Sequence, residues 1–211
     1  FKFSLNSHVG FPLLAIILRL IPLTADFSYL ILAGYALLGR RQIIEALLLS
    51  WLFSMISPKI IPLVEYESFF RYIIILACFF SILFRANFKK VHKLTFVTFV
   101  LGIFLILHAV FFSQVPIISF LKALNWTLVI VILFLAWRGM DSLEYEDTKK
   151  WIKRLLLIIL LLSIPTLLIP KIGFSVNNRY FSGILNHPQA FGMTATILGA
   201  IFIGQLSALN R

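Results

Sequence analysis

Long apolar runs recur along the chain and are separated by short polar breaks. A helix needs about 20 apolar residues to cross a bilayer, and it satisfies its own backbone hydrogen bonds in lipid. The pattern therefore predicts an all-α fold, a polytopic transmembrane helical bundle with seven or eight spans. The predicted spans are 43–57, 69–84, 94–112, 117–137, 154–170 and 189–206, with one or two more in residues 9–39.

The number of spans depends on residues 9–39, where two prolines and two charged residues, Arg19 and Asp26, interrupt the apolar run. Residues 24–26 form a tight turn between two short spans, or the whole stretch is one long helix kinked at Pro22. Further along, Glu45 follows Arg41 by one helical turn, which predicts an ion pair at the membrane interface. Residues 141–144 read as a helix start, and a short surface helix is expected before the next span.

Composition excludes a soluble globular protein. Hydrophobic residues make up 61% of the chain and charged residues 13%, whereas roughly a quarter of the residues in soluble domains are charged. The lone cysteine, Cys78, lies inside an apolar run, so we interpret it as a packing residue with no internal disulfide or metal-binding partner.

The formal net charge of +11 is concentrated in alternate loops, which indicates membrane topology and not a nucleic-acid partner. The positive-inside rule places these loops in the cytoplasm, and the loops 58–68, 113–116 and 171–188 on the outer side. The bases of the predicted cytoplasmic loops are Arg40, Arg41, Arg85, Lys89, Lys90, Lys93, Arg138, Lys149, Lys150, Lys153, Arg154 and Arg211.

Some cations break this pattern and fall on the predicted outer side. Cations kept at that face indicate an anionic partner. Lys122, with Asn125 one turn on, faces a polar cavity or else extends its stem out of the membrane. The outer cations are Lys59, Arg71, Lys122, Lys171 and Arg179, with Glu65 and Glu67 as the acids of the outer loops.

The segment 179–192 is polar and turn-rich and lies between two apolar runs. Arg179 presents a planar fork of donors that suits phosphate, and Gly183 permits a turn and a close ligand approach. Asn186 and His187 read as a turn into the next helix, with Pro188 near its first position. His187 either hydrogen-bonds phosphate or sugar hydroxyls, or caps the turn.

At these residues the sequence resembles the O-antigen ligase and O-antigen polymerase superfamily. Its members carry the pattern Arg-x-x-x-Gly-x-x-x-(Asn/His)-Pro-(Asn/Gln)-x-x-(Gly/Ala) at the entry to a transmembrane helix. Gln189 replaces the commoner Asn. The residues that fill the pattern are Arg179, Gly183, His187, Pro188, Gln189 and Gly192.

The resemblance implies a GT-C-like glycosyltransferase of the bacterial inner membrane, with an undecaprenyl-diphosphate-linked glycan as donor. The acceptor would be another glycan, lipid A core or a protein. The family needs no metal or cofactor, since arginines neutralise the diphosphate. The resemblance implies that Arg179 binds the donor diphosphate, and Arg71 and Lys122 are further candidates for the same role.

The family also uses a large periplasmic loop that nothing in residues 1–211 matches. We therefore expect these residues to be a single transmembrane domain, the N-terminal part of a longer protein, that binds donor weakly and catalyses nothing alone. The alternative from the residues themselves is a transporter or flippase for an anionic lipid-linked or small substrate. A structural membrane subunit is the third reading.

Overall fold

The computed structural model describes residues 7–85, 93–174 and 180–209, and the regular secondary structure within these ranges is helical, as predicted. Short 3₁₀ turns at Pro22–Thr24 and Pro165–Leu168 connect some of the helices. The α-helices of the described ranges are α1 (Ser7–Leu20), α2 (Ala25–Ala36), α3 (Arg40–Met55), α4 (Glu67–Arg85), α5 (Lys93–Phe112), α6 (Pro116–Gly139), α7 (Ser142–Ser163), α8 (Pro170–Gly173) and α9 (Pro188–Leu209).

Three stretches of the described residues are long and apolar enough to cross a membrane: α4, α6 and Ser142–Leu168, which is α7 with the turn after it. The seven or eight predicted spans are therefore not confirmed. The first three helices have 14, 12 and 16 residues, or about 18–24 Å at 1.5 Å per residue. The hydrocarbon core of a bilayer is about 30 Å thick. The remaining spans stay predictions.

The first segment forms a helical hairpin and not one kinked helix. Residues 21–24 turn the chain between α1 and α2, and Pro22 opens the 3₁₀ turn. The ring of Phe11 stacks on the ring of Tyr35 with centroids 5.8 Å apart. Because these residues lie near the far ends of α1 and α2, the two helices must run antiparallel.

Helix α3 lies at the centre of the bundle, where it packs against α2, α4 and α6. Its buried side chains include Ile43, Leu49 and Phe53. Cys78 of α4 is fully buried in the same hydrophobic core, so the interpretation of this cysteine as a packing residue is confirmed.

The predicted ion pair between Arg41 and Glu45 is present, and its place at the membrane interface stays a prediction. The Glu45 side chain is fully buried, and Arg41 Nε lies 2.7 Å from Glu45 Oε1. The second carboxylate oxygen accepts a hydrogen bond from the Tyr35 hydroxyl of α2. A buried carboxylate is stable only when it is paired and hydrogen-bonded. Arg41 supplies the ion pair and Tyr35 of α2 supplies the hydrogen bond, which the spacing of residues along α3 did not reveal.

Helix α7 begins where the sequence predicted a helix start, and it then continues without a break. Asp141 Oδ1 accepts a hydrogen bond from the Glu144 backbone N–H at 2.7 Å, so this cap is confirmed. The predicted short surface helix and the following span are one helix to Ser163. No glycine or proline interrupts residues 142–163, which explains the continuity.

Three of the segments that the charge pattern grouped together, at Arg40, Arg85 and Gly139, meet at one end of the bundle, which we call the basic end. Arg40 connects them, because its guanidinium donates to the carbonyl oxygens of Gly139, at 2.6 Å, and of Arg85. Arg85 in turn donates to the Leu37 carbonyl oxygen at 2.7 Å. Helix α3 runs from this end to the opposite end, where it meets residues 180–187.

Candidate functional site

Residues 180–187, which we call the motif turn, fold back on the chain segment that follows α7. The backbone N–H groups of Ser182 and Gly183 both donate to the Gly173 carbonyl oxygen, at 2.8 and 3.2 Å. The rings of Phe174 and Phe181 meet edge to face with centroids 5.5 Å apart. These contacts attach the motif turn to α8.

The motif turn also docks on the C-terminal end of α3. The Asn186 backbone N–H donates to the Met55 carbonyl oxygen at 2.7 Å, and the Ser57 N–H donates to the Ile184 carbonyl oxygen at 2.9 Å. Between these bonds Leu185 is fully buried. The Asn186 side chain adds a bond to the Ser54 carbonyl oxygen at 3.3 Å. The motif turn is therefore built into the bundle at the end opposite the basic end.

Gly183 has the turn geometry that the sequence predicted. Its φ is +63°, in the left-handed region where glycine is strongly favoured. A Cβ at this position would lie 2.3 Å from Ser163 Oγ of α7. The same Oγ accepts a hydrogen bond from the Ile184 N–H at 3.2 Å. The backbone at Gly183 therefore lies close to Ser163 of α7. The predicted close approach of a ligand to Gly183 stays a prediction.

Pro188 is the first residue of α9, as predicted, and His187 caps this helix. His187 Nδ1 accepts a hydrogen bond from the Gln189 backbone N–H at 3.3 Å. The capping alternative for His187 is therefore present in the structure. With Nδ1 engaged as an acceptor, Nε2 is the ring nitrogen that is left to donate. His187 is exposed, so its Nε2 offers a hydrogen-bond donor to a ligand.

Two lysines lie next to the motif turn, and sequence reasoning did not place them in the site. Lys59 Nζ donates a hydrogen bond to the Lys171 carbonyl oxygen, so both residues belong to the segments that hold the motif turn. Both are exposed. The signal in the sequence was the outer-side charge of each lysine. The two lysines are 112 positions apart in the sequence, so only the fold brings them together.

Of the three predicted diphosphate ligands, Arg179 lies outside the described residues. Arg71 is partly buried on the first turns of α4 and lies close enough to the Tyr29 hydroxyl to act on it electrostatically. Arg19 is itself 3% exposed and donates to the Pro62 carbonyl oxygen at 2.6 Å. Among the described residues, Arg71 makes no hydrogen bond or ion pair with the motif turn.

Lys122 is exposed on α6, and the structure does not pair it with the motif turn within the described ranges. The side chain of Asn125, one turn on, has a buried Oδ1 with no hydrogen-bond partner among the described residues. The two residues therefore have different environments, and the polar cavity predicted around them stays a prediction.

The assembled site is suited to holding an anion. Lys59, Lys171 and His187 are exposed and lie on segments that meet at this end of the bundle, and ammonium and imidazole N–H groups are donors that suit an anion. Within the described part of the chain, no group of three or more His, Cys, Asp or Glu side chains is placed to hold a metal ion.

No protein-family model, no curated protein and no solved structure matches the chain. The likeness to the O-antigen ligase and polymerase superfamily therefore rests on the residues of the motif itself.

Proposed function

We propose that the protein is a multi-pass glycosyltransferase of the bacterial inner membrane, of the O-antigen ligase or polymerase type. In this proposal it has seven or eight spans and a GT-C-like architecture, and it acts at the periplasmic face. The observation that carries the proposal is the position of the motif turn. It is held by backbone hydrogen bonds at the end of the bundle opposite the basic end, which the positive-inside rule assigns to the cytoplasm.

The substrate class is the one that the resemblance to the O-antigen ligase and polymerase superfamily implies, and the cations near the motif turn suit its diphosphate. An undecaprenyl-diphosphate-linked glycan carries its negative charge at the bond that breaks. The bond between the sugar carbon and the diphosphate oxygen breaks, and the same carbon bonds to an acceptor hydroxyl oxygen on another glycan, lipid A core or a protein. The proton of that hydroxyl passes to the departing diphosphate. Arg179, Lys59 and Lys171 neutralise the charge that develops on the departing diphosphate, while His187 Nε2 donates to the diphosphate or to a sugar hydroxyl.

A transfer assay tests this proposal. Membranes containing the complete protein are given purified undecaprenyl-diphosphate-linked glycan and an acceptor, and we expect a new glycosidic product together with free undecaprenyl diphosphate. Membranes from cells without the gene are the control. Movement of intact donor across the membrane with no new bond would contradict the proposal and would favour the transporter alternative.

A further inference from the structure

A cavity of about 530 Å³ opens at the basic end, between α1 and α7. Its volume lies within the roughly 300–1,000 Å³ of small-molecule sites. It lies near the end of the bundle opposite the motif turn and is separate from the proposed transfer site. Arg41, at the start of α3, forms part of its wall.

One side of the cavity is strongly basic. Three cations and one acid line it: Arg41, Lys150, Arg154 and Asp147. Arg41 is already engaged, because it pairs with Glu45 and its Nη1 lies 3.6 Å from Asp147 Oδ2. Lys150 and Arg154 are one helical turn apart on α7, and neither has an ion pair or hydrogen bond within the described ranges. The side chains that line the cavity thus carry two positive charges in excess, and one remains when the buried Glu45 behind Arg41 is counted.

The other side of the cavity is apolar and open to the surroundings of the bundle. Leu13 and Ile16 of α1 contribute to the wall and remain 53% and 37% exposed. Trp151 of α7 completes it, and tryptophan is enriched at the membrane–water interface. An occupant must therefore carry negative charge at one end and hydrocarbon at the other.

We propose that this cavity binds the headgroup of an anionic phospholipid from the cytoplasmic leaflet. Lys150 and Arg154 hold the phosphate, and the acyl chains lie along Leu13 and Ile16. Basic pockets between helices at this side of a membrane have the chemistry for such headgroups. A free inorganic anion would leave the apolar wall exposed to water, which is why the cavity fits a lipid better. The site does not depend on the proposed glycan transfer.

Native mass spectrometry of the complete protein tests the proposal, with phosphatidylglycerol and phosphatidylcholine titrated separately from mixed micelles. We expect retention of one phosphatidylglycerol and much weaker retention of phosphatidylcholine. Because a basic residue near the lipid surface contributes about 1 kcal/mol, Lys150→Ala should weaken phosphatidylglycerol binding about fivefold, and Lys150→Ala with Arg154→Ala about 25-fold. The side chains of Lys150 and Arg154 are exposed and make no hydrogen bond or ion pair within the described ranges, so both variants should fold.

Lys149→Ala is the matched control. Lys149 is the neighbouring lysine, pairs with Glu146 at 2.8 Å and does not line the cavity. The Lys149→Ala variant should leave phosphatidylglycerol retention unchanged, although it removes one positive charge just as Lys150→Ala does. Equal losses in Lys149→Ala and Lys150→Ala, or equal retention of the two lipids by the wild type, would overturn the proposal. Inorganic phosphate that competes at the affinity of phosphatidylglycerol would also overturn it, because the site would then be an anion site without lipid.

Discussion

Arg179→Ala in the complete protein should abolish glycan transfer while the amount of protein in the membrane stays unchanged. The guanidinium is proposed to hold the donor diphosphate through two parallel, charge-assisted hydrogen bonds, and removal of such a contact to a charge that develops in the transition state costs about 10²–10³ in rate. Arg179→Lys should recover little, since an ammonium group is a point charge and does not reproduce the planar fork.

Initial rates with purified lipid-linked donor measure this effect, with Western blotting to normalise for protein. Lys149→Ala is a suitable control, because it removes one cation from the basic end, far from the motif turn. Wild-type transfer by Arg179→Ala would remove this arginine from the site. Lys59→Ala and Lys171→Ala should each lower the rate by less, because these exposed ammonium groups contribute through solvent-screened charge.

Gly183→Ala should destabilise the motif turn, whereas Gly192→Ala should not. At Gly183 the φ of +63° costs an alanine about 1–2 kcal/mol, and its Cβ would also meet Ser163 Oγ at 2.3 Å. At Gly192 a Cβ meets no atom within 4 Å, and alanine inside a helix is more favourable than glycine by about 1 kcal/mol. We therefore expect Gly183→Ala to lower the free energy of unfolding and Gly192→Ala to raise it or leave it unchanged.

The midpoint of thermal unfolding in detergent measures both changes. We expect a lower midpoint for Gly183→Ala and an equal or higher one for Gly192→Ala. Equal midpoints for Gly183→Ala and the wild type would contradict the described backbone at this turn.

Local chemistry in the sequence predicted several features of the fold well. The helical class followed from the apolar runs, the start of α7 from Asp141, and the start of α9 from Pro188. Charge in alternate loops also grouped the segments that Arg40 connects at the basic end. Each of these features depends on neighbouring residues or on a repeated pattern, so a single sequence is enough to find it.

Features that depend on distant contacts were missed. The buried Glu45 carboxylate accepts a hydrogen bond from Tyr35 of the α1–α2 hairpin, whereas spacing along α3 revealed only the Arg41 pair. The contact between Lys59 and Lys171 joins loops from two parts of the chain. The number of membrane spans is hard to predict for a different reason. Hydropathy marks where an apolar run lies, whereas helix breaks such as Pro22 determine whether the helix in that run is long enough to cross a membrane.

We propose that the motif turn and the basic end lie on opposite sides of the membrane, and the proposed function depends on this topology. Thiol labelling of intact spheroplasts tests it most directly, using Leu63→Cys and Leu143→Cys in a Cys78→Ala background. Leu63 belongs to the loop that holds the motif turn and is 79% exposed, and Leu143 lies at the basic end and is 72% exposed. The account predicts that a membrane-impermeant maleimide labels Leu63→Cys at once and Leu143→Cys only after the membrane is opened. Immediate labelling of Leu143→Cys with protection of Leu63→Cys would contradict it and place the motif turn in the cytoplasm.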